Sequence, residues 1–212
     1  MNYRVKFFLQ NPSKILVVLL SKLPYFRFLK DLSAYFPLTF KMWWKQKVIG
    51  YNKHAYWPMH HSSKVVGVSN ILVGIGSNPG FNSNVYVQGN GKLIIGNYTT
   101  FGQGSGILSG GHSVYDHRIL TEDVTKIGDY CWIGMNSIIL PGVELGDFTV
   151  VAAGAIVTKS FPEGHCIIGG NPAKVIKELN KGECVRFTYE NQYHGYISKA
   201  KFGKYRAKRL NV

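Results

Sequence analysis

The sequence predicts an all-β fold, a parallel β-helix of hexapeptide repeats, and three observations carry that prediction. Six aliphatic residues stand six apart: Ile127, Ile133, Ile139, Leu145, Val151 and Val157. The residue after each is usually small, as at Gly128, Gly134, Gly146 and Ala152. Four positions after each comes a compact side chain in most cases: Cys131, Ser137, Val143, Thr149 and Ala155. A helix repeats every 3.6 residues and a strand every two, so neither yields a period of six. A chain that turns a corner every six residues does, with three sides closing one coil. Successive coils then stack at roughly the 4.8 Å strand spacing.

Each segment follows from that ruler or from its failure. Residues 1–64 lack it and are basic and aromatic. A helix start is expected at Asn11-Pro12-Ser13, followed by short helices carrying Tyr25, Phe26, Phe28, Tyr35, Phe36, Phe40, Trp43 and Trp44. Such aromatics can cap the open end of a solenoid or sit at a membrane interface. Residues 65–173 form the β-helix, with irregular opening coils around Val65, Ile71, Val73 and Val85. The ruler regularises at Ile95, Phe101 and Ile107. The next step, from Ile107 to Ile127, is twenty residues and not a multiple of six. A loop is therefore inserted over residues 110–126, GGHSVYDHRILTEDVTK. Loops held by rigid scaffolds carry function disproportionately. The repeat ends after Val157. The segment from Ala173 to Leu179 reads as a short helix leaving the coils. Residues 174–212 make a basic C-terminal helix and tail whose period is not readable beyond Asn180.

The net charge of +14 is unevenly distributed. Residues 1–64 carry 11 Lys and Arg against one acid, residues 65–173 carry 4 against 7, and residues 174–212 carry 10 against 3. Basic flanks on a mildly acidic body suit an anionic partner, here peripheral contact with an anionic membrane. No nucleic-acid-binding module is recognisable. Three cysteines without a paired framework fit a reducing compartment, so a cytoplasmic protein, peripheral at the inner membrane face, is expected. The apolar run Ile15 to Leu20 is too short to span a bilayer, and no secretory signal is evident.

The run IGDYCWIGMNSIILPGVELGDFTVVAAGAIVTKSFP, followed by GGNPAKVIKEL, resembles the hexapeptide-repeat acyltransferases, and most closely their sugar O-acetyltransferase group. That group includes galactoside- and maltose-type enzymes and those that decorate O-antigen or capsule. The resemblance covers roughly residues 71–178. It implies left-handed coils, a homotrimer, and acetyl-CoA lying between neighbouring subunits, in polysaccharide biosynthesis.

Acetyl transfer to a sugar hydroxyl needs a base with a pKa near neutrality, and His is the side chain poised for that. His112 follows Gly110 and Gly111 at the base of the loop. In the resembling enzymes a His seventeen residues after the Ile of an IG pair is the base, and Ile95 to His112 reproduces that spacing. Asp116 is the candidate to orient the imidazole, although a backbone carbonyl could do so. His117 is a weaker candidate for substrate contact. The resemblance further implies cofactor contacts at Trp132, Met135, Ala153, Thr158, Lys159 and Lys174, with the Met135 N–H serving the thioester oxyanion. Asn82 and Asn84 match the acceptor-pocket asparagines. No metal is expected: His112 and His117 are five apart, as in γ-type carbonic anhydrases, but residues 62–111 supply no third His, and catalytic zinc usually takes three protein ligands. The alternatives are an acetyltransferase for another small acceptor (antibiotic, serine or amino sugar) and a non-enzymatic β-helix scaffold.

Overall fold

The computed structural model describes residues 19, 20, 23 and 40–212. The helix start at Asn11-Pro12-Ser13 and the aromatics from Tyr25 to Phe36 lie outside them. A short helix α1 (Phe40–Trp44) runs into a π-helical turn, Lys45–Ile49, which ends at Gly50 with φ 102°. There glycine is needed, because a Cβ disfavours the left-handed region.

Three parallel sheets form the sides of a triangular solenoid. The first face stacks Lys64–Val66, Tyr86–Gln88, Gly106–Leu108, Ile138–Ile139 and Ile156–Val157. The second stacks Ile71–Val73, Lys92–Ile95, Val124–Ile127 and Glu144–Leu145. The third stacks Thr100–Phe101, Trp132–Ile133, Thr149–Val151 and Cys166–Gly170. Ile127 pairs with Leu145, Ile133 with Val151 and Ile139 with Val157, each eighteen residues on. All six ruler residues are buried, as are the compact residues four positions later. Both sets therefore point into one core, and the crowding at the corners explains why they alternate large and small.

Across the loop, Ile95 pairs with Ile127, Phe101 with Ile133 and Ile107 with Ile139, thirty-two residues on. That coil thus carries a fourteen-residue insertion beyond the regular eighteen, and the stack continues around it without a break in register.

The end of the chain differs from expectation. Ala173–Glu178 is a strand, not a helix, and runs antiparallel to Cys166–Gly170, pairing Gly170 with Ala173 and Cys166 with Glu178. The turn at Gly170-Asn171-Pro172 reverses the chain onto the open edge of the third face. Val175 and Ile176 are β-branched, which favours strand over helix, and the open edge of the third face supplies a ladder for them to join. The helix of this region is α2, Lys199–Arg209.

Between the two, the tail runs back along one corner of the solenoid. Tyr98, Tyr130, Phe148 and His165 occupy this corner, all with positive φ of 49–57°. Their rings form a ladder, with centroids 5.2 Å, 4.9 Å and 5.1 Å apart. Phe187 and Tyr189 pack on it, and Tyr130 Oη donates to the Phe187 carbonyl at 2.6 Å. Arg186 lies over Phe148 and Tyr130 and pairs with Asp147 at 2.6 Å. The hairpin Tyr193–His194/Ile197–Ser198 and α2 then cover the first coil, where Phe202 and Tyr205 meet Tyr56. No helix among the described residues is long and apolar enough to cross a membrane.

Candidate active site

The inserted loop is an antiparallel hairpin, Gly110–His112 paired with Leu120–Glu122. Its base is clamped to the coils. Ser109 Oγ donates to the carbonyls of Gln88 and Gly91, and the Asp123 N–H donates to the Ser109 carbonyl at 2.8 Å. Gly110 is required by the hairpin itself, since a Cβ there would lie 2.5 Å from the Thr121 carbonyl oxygen. Gly111 has ordinary space. The tip holds itself together: Ser113 N–H donates to the Ile119 carbonyl, and Ser113 Oγ accepts from the Tyr115 and Asp116 amides.

His112 is exposed, and its Nδ1 donates to the His117 carbonyl oxygen at 2.6 Å. A carbonyl only accepts, so this contact places the proton on Nδ1 and the lone pair on Nε2. Asp116 does not orient the ring. Its carboxylate takes two hydrogen bonds from the Arg118 guanidinium, at 2.9 and 2.8 Å, and a third from the Arg118 amide. Those bonds hold the carboxyl below its ordinary pKa. The orienting group is thus the backbone of His117, which has no side-chain signature a sequence could display; the His117 side chain is exposed.

The remaining candidate residues separate onto two corners. Asn82, Asn84, Met135 and Ala153 lie between the third and first faces, with Trp132 projecting from the third face and 59 % exposed. Asn84, Gly104, Asn136 and Gly154 turn this corner in successive coils with positive φ. Among the described residues, the Met135 and Ala153 N–H groups have no acceptor. Asn82 is partly committed to structure, its amide donating to the Phe101 carbonyl at 2.6 Å. His112, Asp116 and His117 arise from the corner between the first and second faces, where Thr158 and Lys159 also lie, exposed. Lys174 is exposed on the added edge strand opposite Gly169. One face, roughly 15 Å of extended chain, separates the two corners. Within one chain the His112 hairpin and the Met135–Ala153 corner therefore spring from opposite ends of the first face.

Two of the three cysteines, Cys131 and Cys166, are buried and poor nucleophiles. Burial pushes the Cys131 thiol up to about 12 and raises that of Cys166. Among the described residues no group of three His, Cys, Asp or Glu side chains converges as a metal site would require.

The family model described as bacterial transferase hexapeptide (six repeats) matches residues 125–159. The WcaF protein of Escherichia coli K12, named for a colanic acid biosynthesis acetyltransferase, is 36% identical over 89 residues, 42% of this chain and 48% of that protein. A chloramphenicol acetyltransferase of Agrobacterium fabrum is 28% identical over 131 residues, 51% of this chain and 62% of its own. The chain thus spans about half the length of the curated relatives it matches. A galactoside acetyltransferase solved in complex with coenzyme A superposes with a TM-score of 0.56 at 23% identity, over 77% of this chain and 83% of that one. The chain is a hexapeptide-repeat protein with the left-handed β-helix fold of these acetyltransferases.

Proposed function

We propose that the chain is an acetyl-CoA-dependent O-acetyltransferase acting on a sugar hydroxyl of a surface-glycan precursor. The observation that carries this reading is the His112 Nδ1–His117 carbonyl contact, which leaves Nε2 bare on an exposed hairpin hung from rigid coils. In the proposed reaction, Nε2 takes the hydroxyl proton as the oxygen attacks the thioester carbonyl. The Met135 N–H holds the resulting oxyanion. The carbon–sulfur bond then breaks, and the imidazolium returns its proton to the leaving CoA sulfur. Transfer is direct; neither an acyl-enzyme nor a metal enters it. Trp132 and Ala153 flank the pantetheine arm, and Thr158, Lys159 and Lys174 lie toward the adenosine phosphates. Asn82, Asn84 and His117 face the acceptor.

We assign this chemistry to residues 65–173 of a homotrimer, in which the His112 hairpin of one subunit reaches the Met135–Ala153 corner of the next. Two findings support that arrangement: the two corners are separated within one chain, and the hairpin exposes Val114 and Tyr115 at 81% and 98%. Exposed apolar side chains of that kind commonly mark a contact. The acceptor would be presented in the cytoplasm, at the inner membrane face. The similarity to a chloramphenicol acetyltransferase favours a second reading, the same transfer to an antibiotic hydroxyl. Release of CoA thiol from acetyl-CoA across free sugars, nucleotide sugars and antibiotics tests both. Saccharide-dependent release supports the first reading, and antibiotic-dependent release alone replaces it with the second. Failure to bind acetyl-CoA by calorimetry would leave a non-enzymatic scaffold.

A further inference from the structure

Residues 40–64 and 191–212 contain eleven Lys and Arg and no Asp or Glu. They are separated by the whole β-helix in sequence, yet the fold brings them to the same end of it. Tyr196 Oη donates to Gln46 Oε1 at 2.7 Å, and its ring lies under Lys47 Nζ at 4.7 Å. The Asn211 amide donates to the Ser69 carbonyl. Helix α2 turns Phe202 inward onto Tyr56 and leaves Lys199, Lys201, Lys204, Arg206, Lys208 and Arg209 exposed. Lys47 is turned inward, donating to the Ala55 carbonyl at 2.8 Å, and burial lowers its pKa to about 8. Arg206 Nε donates to the Val212 oxygen at 2.8 Å, and among the described residues none of the ten pairs with an Asp or Glu; the three ion pairs to carboxylate side chains lie elsewhere.

The same end exposes apolar groups. Trp44, Val48, Ile49 and Tyr51 are 46–59% exposed, between the cations Lys41 and Lys53. The solenoid body beyond it is net negative, so the field of the molecule points one way. Cations around exposed indole, phenol and aliphatic groups match the boundary of an anionic bilayer. There the charges meet headgroups, and Trp and Tyr enter the interfacial layer. A soluble polyanion would satisfy the charges and leave the apolar groups in water.

We propose that this pole docks the protein on an anionic phospholipid surface, with Trp44 and Ile49 entering the headgroup layer and α2 lying along it. The docked pole adjoins the acceptor side, because Ser62 Oγ accepts from the Asn84 amide. A lipid-carried glycan would thereby meet the first coil. That last step rests on the glycan reading above, whereas docking itself does not.

Co-sedimentation of the full chain, without acetyl-CoA, with vesicles of phosphatidylcholine alone or with one-third phosphatidylglycerol tests the docking. Binding to the anionic vesicles only, reversed by salt, is expected. Lys201→Glu/Lys204→Glu/Lys208→Glu should weaken it at least about tenfold. Trp44→Ala/Ile49→Ser should weaken it several-fold without changing retention on heparin. Equal binding to neutral vesicles, wild-type binding by either variant, or heparin retention without vesicle binding would overturn the proposal. CoA release with a soluble acceptor should be unchanged in the charge variant, which separates failure of docking from failure of transfer.

Discussion

The central coils and the first coil solve the same problem by different means. In the centre, each six-residue unit finds an equivalent partner eighteen residues away, and Ile133, Ile139 and Val157 are fully buried among aliphatic neighbours. The first coil has no such neighbour on its outer side. It is closed by parts drawn from across the chain: Gln46 meets Tyr196, and Val73 meets His194. The Gln46 amide is saturated there. Nε2 donates to the Trp57 and Asn52 carbonyls, and Oε1 accepts from the Met59 amide and Tyr196 Oη. A repeat array writes its interior locally, and its end must be fitted by distant residues.

That contrast sets an order of expected effects. Ile139→Ala removes side-chain volume between Ile107 and Val157 in stacked coils and should cost about 2–5 kcal/mol, read from the denaturant midpoint. At the end, Gln46→Ala strands the buried Met59 amide and should cost about 1–3 kcal/mol. Tyr196→Phe leaves Gln46 Oε1 with the Met59 amide and should cost about 1 kcal/mol. If Tyr196→Phe cost as much as Ile139→Ala, the end would not be the weaker part.

The end should also respond to pH where the centre does not. His194 stacks on Phe202 at 3.7 Å and donates from Nδ1 to the Val73 carbonyl. Burial holds its pKa below the ordinary 6.5, outweighing the opposing effect of that hydrogen bond. The unfolded state then binds the proton more readily, so this group costs no stability above pH 6.5 and destabilises as pH falls through 6.5 toward the folded value. Protection factors against hydrogen exchange at residues 193–205 should fall in that window while residues 127–157 stay protected. His194→Gln should reduce the dependence, the remainder coming from His60, which is also held below 6.5 at this end.

The centre was legible because a ruler residue and its compact partner both point inward, so packing imposes a period on the sequence. The hairpin was legible by subtraction, as the step from Ile107 to Ile127 that breaks the ruler. The aromatic corner also has a sequence signal: Tyr98, Tyr130 and Phe148 stand three residues after Ile95, Ile127 and Leu145 respectively. Ala173–Glu178 was misread because its pairing depends on an open sheet edge, which local pattern does not carry. The hairpin Tyr193–Ser198 and α2 escaped for the same reason, their apolar faces being matched to Tyr56 more than 130 residues away. The orienting carbonyl of His117 leaves no trace in residue identity, whereas Asp116 offered a conspicuous one. Asp116→Asn should accordingly lower the transfer rate by less than about tenfold, through the loop it braces with Arg118.

The most direct measurement is steady-state CoA release by His112→Ala, with a saccharide that the native chain acetylates. Loss of at least about a hundredfold in rate is expected, with acetyl-CoA affinity and assembly size retained. A rate near that of the native chain would contradict His112 as the base.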